Sequence, residues 1–309
     1  MTEPGATKLE RVPSPLLGLA LGILGLCGAL EHALSLHGMA FYTGCIVAAP
    51  LLVLVSCKFI LHPRILRQEL EHPVLGAIPA AGCMVVLQLS QALGKYWQWG
   101  AEMLWLLTIP VSLALPCLFY WHRWQKPVKD DRLPSWFLIL GGLLMCAPTA
   151  PRPEYAAFAN ALMYAGDAIF FAVLFPVLHR AITSPQTITD AMRPVIAIFA
   201  APVSLVIVTW LNSGHGWWWW AWPIYALAVV LTLWVYTMLP RMLRLPFSPA
   251  KASLTFPVAI SATATHKLAA FAPVLAPLAL VETLVAILVV GVVCWQFARA
   301  YSPRCRNLG

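Results

Sequence analysis

Long runs of apolar residues recur along the whole of this chain and limit how it can fold more than any other feature. An α-helix needs about 20 consecutive, mainly apolar residues to cross the hydrocarbon core of a bilayer. Short polar or proline-containing segments separate ten runs of about this length. They lie at about residues 15–34, 40–61, 73–93, 101–121, 134–150, 155–178, 194–212, 219–239, 249–269 and 276–297. The sequence therefore predicts an all-α integral membrane protein with ten transmembrane helices, spans one to ten.

The composition supports one transmembrane domain over residues 1–309, with short tails at about 1–13 and 298–309. Apolar residues make up 61% of the chain and charged residues only 10%, with a mean hydropathy of +0.78. Soluble domains carry roughly a quarter charged residues, so most of this exterior must face lipid. The net charge of +8 comes from basic residues placed between the apolar runs, as topology determinants are, and not from a patch suited to nucleic acid.

The distribution of lysine and arginine predicts the orientation of the chain. With both termini inside, 17 of the 20 basic residues fall on the cytoplasmic side, and only Lys95, Arg152 and Lys267 fall outside. Basic residues accumulate in short cytoplasmic loops, and adding or losing one span would scramble this split. We therefore expect an even number of spans in the cytoplasmic (inner) membrane, with both termini in the cytoplasm.

A proline marks the start of every odd-numbered span and recurs every 55 to 61 residues, at Pro15, Pro73, Pro134, Pro194 and Pro249. This period predicts five helical hairpins of equal orientation. Such parallel repeats can be arranged around an axis normal to the membrane. We therefore expect a quasi-five-fold ring that leaves a central path.

Proline also occurs deeper in four of the odd spans, at Pro79, Pro148, Pro202 and Pro257. A proline inside a helix removes a backbone donor and frees a carbonyl one turn earlier. We predict that these residues, with Pro15, mark kinks in pore-lining helices. Kinks that serve only packing are the alternative for any single proline, because the even spans contain prolines too.

Three segments carry a resemblance to a known family: HPVLGAIPAAGCM at 72–84, RPVIAIFAAPVSL at 193–205 and SPAKASLTFPVAISATA at 248–264. They resemble blocks of the tellurite-resistance/dicarboxylate transporter (TDT) family, which includes the bacterial TehA proteins and the plant slow-type guard-cell anion channels. The first block is about three residues shorter between its prolines than the family pattern. In the third block, Lys251, Ala252 and Ser253 stand where the family usually has aromatic residues.

The resemblance implies how the spans are arranged and which residue closes the pore. Spans one, three, five, seven and nine would surround a pore, the other five would form an outer ring, and three subunits would assemble into a homotrimer with a pore in each. A phenylalanine on span nine blocks the conduction path in this family, and the matching residue here is Phe256. A hydrophobic constriction of this kind can gate a pore. Ordinary packing of the ring is the alternative.

Several polar residues are candidates for the pore or its cytoplasmic mouth. Small and hydroxyl side chains crowd span nine around Phe256, and the candidates are His72, Arg193, Lys251, Ser253, Thr255, Ser261 and Thr263. All basic residues map to loops or span ends, so broken helices are the remaining source of positive potential in mid-membrane. Basic residues at the mouth could concentrate anions, although such residues more often fix topology. His72 could cap a helix or titrate near neutral pH.

The acidic residues inside the predicted spans are candidates for proton coupling. Asp167 lies midway through span six and Glu282 lies in span ten. An ionisable residue at this depth is expensive and is a functional candidate by default. Both lie on even spans, so structural hydrogen bonding is at least as good an interpretation as proton coupling at Asp167.

These features predict a gated channel or channel-like transporter for small anions. The alternative is a proton-coupled carrier of C4-dicarboxylates, sulfite or tellurite-type oxyanions. A membrane-embedded enzyme would need a cluster of catalytic or metal-binding side chains at one depth, and the sequence predicts neither this nor a cofactor. The expected partners are small anions, the lipid bilayer and further copies of the chain.

Overall fold

The computed structural model describes residues 9–125, 133–183, 192–214 and 218–301, so much of the two predicted tails lies outside the described residues. Every regular element in these ranges is helical. The α-helices are α1 (Leu16–Leu34), α2 (Met39–Leu61), α3 (Pro63–Glu71), α4 (Ile78–Gly94), α5 (Gln98–Gln125), α6 (Ser135–Leu138), α7 (Gly141–Met145), α8 (Ala156–Thr183), α9 (Ala200–Asn212), α10 (Ala221–Arg244), α11 (Thr255–Ala269) and α12 (Ala276–Tyr301). Short 3₁₀ segments occupy Leu75–Ala77, Pro153–Tyr155, Arg193–Phe199, Trp218–Trp220, Pro249–Leu254 and Pro273–Leu275.

Eight helical stretches in the described ranges are long and apolar enough to cross a membrane. They correspond to predicted spans one to four, six to eight and ten. The fifth predicted span contains only the short helices α6 and α7, and the ninth begins as a 3₁₀ segment before the 15-residue α11. The structure thus supports a multi-pass helical membrane protein, whereas the count of ten spans and the five-fold ring stay predictions.

Spans three, seven and nine share a start that the sequence did not predict. Each begins as a 3₁₀ segment and continues as an α-helix, with Pro79, Pro202 or Pro257 in the first α-helical turn. Proline is tolerated in a first turn because the N–H groups there have no partner within the α-helix. At these three prolines the span therefore changes from one helix type to another, and their role as kinks in pore-lining helices stays a prediction.

The other two prolines, by contrast, lie outside the α-helices. Pro15 directly precedes α1, and Pro148 lies in a turn after α7. The deeper prolines of the even spans lie within continuous helices, at Pro50, Pro110, Pro116, Pro176 and Pro240. Spans six, eight and ten also begin with a short 3₁₀ segment, and Pro223 and Pro277 lie in the first turn of α10 and α12, so this kind of start is not confined to the odd spans.

Burial separates the spans into two classes. In spans seven and three, 83% and 67% of the most apolar 18-residue window is buried, against 28–39% in the other six long stretches. Span nine belongs with the buried class, because every residue from Thr255 to Thr265 is buried. Helices such as α2, α5 and α12 instead expose large aliphatic side chains, as lipid-facing helices do. Span five also belongs with the buried class, since most residues from 134 to 146 are buried. Four of the five odd spans are thus interior, whereas α1 at 39% is not distinguished by this measure.

The chain is organised as two compact units. The first comprises residues 1–21 and 45–187, and in it α4 packs along α5 and against α7. Its core includes Trp105, whose indole N–H donates to the carbonyl of Cys146 at 3.2 Å. Gly141 allows α7 to approach closely, because a Cβ there would lie 2.3 Å from Sδ of Met84.

The second unit comprises residues 22–44 and 188–309. Its central element is α11, which packs against α9 on one side and α12 on another. The 3₁₀ segments Arg193–Phe199 and Pro249–Leu254, which begin spans seven and nine, contact each other. This unit therefore contains spans seven and nine, which both begin with a 3₁₀ segment.

The part of α1 that belongs to the second unit packs against α11 through glycine. A Cβ at Gly22 would lie 2.0 Å from Oγ1 of Thr255 and 3.1 Å from the backbone nitrogen of Phe256. A Cβ at Gly28, by contrast, would have Oγ1 of Thr263 as its nearest neighbour, at 4.0 Å. The two helices therefore require glycine at one of these positions and not at the other.

We expect Gly22→Ala to lower the stability of the folded protein by about 1–3 kcal/mol, because the added methyl group must displace Thr255 or the backbone of α11. The matched variant Gly28→Ala should be neutral or stabilising by up to ~1 kcal/mol, since it gains helix propensity without a clash. Thermal unfolding in detergent measures both variants. Equal effects of the two substitutions would contradict this packing.

Candidate functional site

Phe256 is the second residue of α11, and its side chain is buried at 7% exposure. Gly25 of α1 lies beside its ring, because a Cβ there would be 3.4 Å from Cδ2 of Phe256 and 3.1 Å from Cβ of Ala259. One side of the ring therefore lies against helix backbone. Any larger residue at position 25 would narrow the space into which the ring can move.

The hydroxyl groups near Phe256 are engaged with their own helix. Thr255 donates to the carbonyl of Ala252 at 2.7 Å, Ser253 to that of Ala250 at 2.7 Å, and Thr263 to that of Ala259 at 3.0 Å. A hydroxyl group has a single proton to donate. In this conformation the three side chains therefore present oxygen lone pairs, and not O–H donors, to their surroundings.

Lys251 is almost fully buried, at 1% exposure. Its ammonium group donates to the carbonyl oxygens of Leu243 at 3.0 Å and Leu245 at 2.7 Å, where α10 ends. A cation here satisfies carbonyls that a helix end leaves unpaired and interacts favourably with the helix dipole. The predicted mouth residue thus caps α10, and it also lines an open cavity of about 400 Å³ with Trp295, Gln296 and Arg299.

His72 caps the start of span three. Its Nδ1 accepts hydrogen bonds from the backbone N–H groups of Val74 and Leu75, both at 3.1 Å. Burial lowers the pKa of His72 below 6.5, the positive charge of Arg123 lowers it further, and Glu69 partly opposes this. An Nδ1 that accepts hydrogen bonds carries no proton, so the geometry and the lowered pKa both indicate a neutral imidazole.

The other predicted residues are dispersed. Arg193 begins the 3₁₀ segment of span seven and is partly buried. Asp167 is buried in α8 of the first unit, next to Gly166, which packs against Leu143 and Leu144 of α7. Ser261 lies in α11 and bonds to Glu282 of α12 at 3.0 Å. The second unit thus brings together Phe256, Thr255, Ser261 and Thr263 on one helix, with Ser253 in the preceding turn.

Two buried ionic contacts were not predicted from the sequence. Lys58, in the last turn of α2, bonds to Glu69 of α3 at 2.9 Å, to Ser14 at 2.8 Å and to the carbonyl of Val12 at 2.9 Å. The sequence offered only a weak signal, a lysine inside the end of an apolar run. All three partners depend on how the segments before α1 and after α2 fold back.

The second contact lies where α5 begins. Glu102 pairs with Arg152 at 2.8 Å and accepts a short hydrogen bond from the hydroxyl of Tyr155. Its charge therefore has a counterion although the residue is buried. This pair joins the start of α5 to the start of span six.

A known family matches nearly the whole chain. The profile of the SLAC1 family, described as voltage-dependent anion channels, matches residues 16–300. The chain belongs to the SLAC1 family. The match runs from the start of α1 to the last turn of α12 and so includes both units.

A curated relative points to the same class of protein. The chain is 24% identical over 269 residues to an uncharacterized transporter of Methanocaldococcus jannaschii, and the match covers 74% of each chain. Membership of the SLAC1 family confirms the predicted resemblance, since the SLAC1 channels are the plant branch named in it. At the level of the family, the chain is thus an anion channel or transporter and not an enzyme.

We predict that His72 makes folding stability depend on pH. Because its pKa in the folded protein lies below the ordinary value of about 6.5, the stability that the cap contributes is present above pH 6.5 and is lost as the pH falls through the lowered pKa. Thermal unfolding followed between about pH 5 and 8 measures this dependence.

The variant His72→Asn is the control, because asparagine caps a helix but does not titrate. It should remain folded and lose this part of the pH dependence, whereas His72→Ala should lose about 1 kcal/mol at neutral pH. A wild-type pH profile in His72→Asn would show that another group is responsible.

Proposed function

We propose that this protein is a gated anion channel, or channel-like transporter, whose pore is lined by the odd-numbered spans and closed by Phe256. The observation that carries the proposal is the position of this residue: a buried ring at the start of the most enclosed helix of the second unit, against a glycine of span one. A phenyl ring in a narrow path excludes ions sterically and by dewetting.

The buried basic residues of the described ranges do not supply a cation in mid-membrane. Lys58, Arg123 and Lys251 lie near helix ends, and each donates to at least one backbone carbonyl. A buried charge with such partners is held in place by them. These side chains therefore serve the structure, and we do not assign them to the permeation path.

The remaining source of positive potential is the N-terminal ends of the interrupted spans. The dipole of a helix is equivalent to roughly half a positive charge at its N-terminus. In span nine the 3₁₀ segment Pro249–Leu254 runs directly into α11, and the N–H of Thr255 is already bonded to the carbonyl of Ala252, so the positive end lies at the start of that segment, before Phe256. Small anions that enter from this end would therefore meet the favourable field before the steric barrier.

The proposal includes the finer expectations from the family resemblance. These are monovalent or dicarboxylic anions, or tellurite-type oxyanions, as permeant species, a homotrimer with one pore per subunit, and a cytoplasmic membrane with both termini inside. Cross-linking of the purified protein tests the trimer. Accessibility of a cysteine placed at either terminus, probed from each side of the membrane, tests the orientation.

Removing the phenyl ring tests the gate. We expect Phe256→Ala to raise the flux of chloride or nitrate through proteoliposomes roughly tenfold or more. A tenfold rise corresponds to a free-energy barrier to permeation that is lower by about 1.4 kcal/mol. Stopped-flow fluorescence quenching or single-channel recording measures the change.

The matched control is Phe170→Ala, which removes another buried ring, packed against Phe137 in the first unit. It should cost stability without raising flux, because α8 belongs to the lipid-exposed class of spans. Unchanged flux in Phe256→Ala, or an equal rise in both variants, would contradict the proposal that Phe256 closes the pore.

A second candidate is a proton-coupled carrier of C4-dicarboxylates, sulfite or tellurite-type oxyanions. Two buried carboxyl groups within membrane-spanning helices favour it, Asp167 at 5% exposure and Glu282 at 4%. Under this mechanism uptake saturates and follows a pH gradient, and Asp167→Asn abolishes the coupling. Uptake of labelled dicarboxylate into proteoliposomes, with and without the gradient, separates the two candidates.

A further inference from the structure

Glu282 of α12 is a buried carboxyl group whose partners are hydroxyl groups. Its Oε1 lies 3.0 Å from Oγ of Ser261, and its Oε2 lies 2.5 Å from Oγ1 of Thr265. Both partners are on α11 and are also buried. They are four residues apart and therefore lie on the same face of that helix.

The hydrogen bonds continue from α11 into α10. The hydroxyl of Tyr225 donates to Oγ1 of Thr265 at 3.1 Å, and Oγ1 of Thr232 lies 3.2 Å from Oγ of Ser261. A chain of five side chains results, in the order Tyr225, Thr265, Glu282, Ser261 and Thr232. Glu282 is at its centre, and the oxygen separations are hydrogen-bond lengths or slightly longer.

The charged and titratable groups of the neighbouring elements do not neutralise Glu282. From α10, Tyr225 and Tyr236 are within its electrostatic reach. From α11, the Nε2 atom of His266 bonds instead to Thr283 at 2.9 Å, and Lys267 follows it at the helix end. Within the described ranges, no basic side chain forms an ion pair with Glu282.

The segment before α11 contributes one further cation to the elements packed against α12, namely Lys251. Its ammonium group is held by the carbonyls at the end of α10. The segment before α12, Pro273–Leu275, has no titratable side chain. The hydrogen-bond partners that the described residues give the carboxyl group are thus neutral hydroxyl groups.

An ionised carboxylate without a counterion is expensive at such a site, because two hydroxyl hydrogen bonds do not replace its hydration. The neutral acid costs far less. We propose that Glu282 is a proton-binding site: its carboxyl group holds a proton in the resting protein, and its charge state acts on α11, the helix that carries Phe256. Only the last step, from α11 to anion movement, rests on the proposed function.

The hydroxyl chain can accept either charge state. With the proton on Oε1, Glu282 donates to Ser261 and Ser261 donates to Thr232, while Tyr225 donates to Thr265 and Thr265 to Oε2. When this proton leaves, Ser261 rotates its O–H to the carboxylate and Thr232 turns its own O–H towards Ser261. The site releases one proton and gains one negative charge. Rotation of the hydroxyl groups alone then restores the hydrogen bonds.

The two charge states of Glu282 interact with α11 with different strength. Hydrogen bonds to a carboxylate are roughly twice as strong as those between neutral groups, and a bare charge also draws water to the site. Both effects act on Ser261 and Thr265, five and nine residues beyond Phe256 on the same helix. We therefore expect anion flux to depend on pH through Glu282.

Infrared difference spectroscopy of the reconstituted protein between neutral and alkaline pH tests the proton directly. We expect the carbonyl band of a protonated carboxyl group in the wild type and its loss in Glu282→Gln. The control Glu102→Gln should keep the band, because Glu102, unlike Glu282, is paired with a counterion, Arg152. A parallel spectrum of Asp167→Asn identifies any contribution from that carboxyl group.

A wild-type spectrum in Glu282→Gln would overturn the proposal, as would a band that follows the sodium concentration and not the pH. Should Glu282→Gln not fold, Glu282→Asp keeps a carboxyl group and must shift the same band in frequency. These spectra need no anion transport, so they decide on proton binding even if the proposed function fails.

The pH profile of anion flux tests the connection to α11. We expect the wild-type rate to change with pH and the profile of Glu282→Gln to be flat, at the rate of the protonated wild type. Glu102→Gln should keep the wild-type profile. A wild-type profile in a Glu282→Gln variant that has lost the infrared band would overturn the effect on α11.

Discussion

Every backbone N–H and C=O group within a bilayer needs a partner from the protein, because the hydrocarbon offers none. Continuous α-helices meet this demand wherever they lie, and the lipid-exposed stretches α2, α5, α8, α10 and α12 are all continuous and 23 to 28 residues long. The 3₁₀ segments that begin spans seven and nine are the longest in the described ranges, at seven and six residues, and these two spans are deeply buried, whereas spans six, eight and ten begin with 3₁₀ segments of only three residues. The longest departures from regular α-helix have thus been kept where other protein groups surround them.

The approximate limits and the helical class of the eight long spans could be predicted from the sequence, since apolar length alone determines them, whereas the count of ten spans stays a prediction. The way the odd spans begin could not. The sequence predicts that Pro79, Pro202 and Pro257 mark kinks in pore-lining helices, but it does not show that each of them lies in the first α-helical turn after a 3₁₀ segment. Whether a proline breaks a helix or begins one depends on the hydrogen bonds of the residues before it, and hydropathy does not report these.

The hydrogen-bond partners of the side chains in the candidate site could not be predicted from the sequence either. The sequence makes Lys251 a candidate for attracting anions, and it caps α10 through two carbonyl groups instead. The hydroxyls at 261 and 265 have the spacing of one helix face, but their pairing with Glu282 requires the rotation of α12 about its axis, which tertiary packing determines. In α11 the consequence is a helix with two distinct contacts: Gly22 and Gly25 of α1 near Phe256, and a carboxyl group further along.

The contact between Lys58 and Glu69 bears on how the protein is assembled during synthesis. Lys58 belongs to the second membrane-spanning helix, yet its counterion is supplied by residues that leave the ribosome later, and its remaining hydrogen bonds go back to the segment before the first helix. Until α3 has formed, an unneutralised ammonium group stays at the end of the first hairpin. That hairpin can therefore be inserted early but reaches its final packing only when α3, the next helix to be synthesised, docks against it.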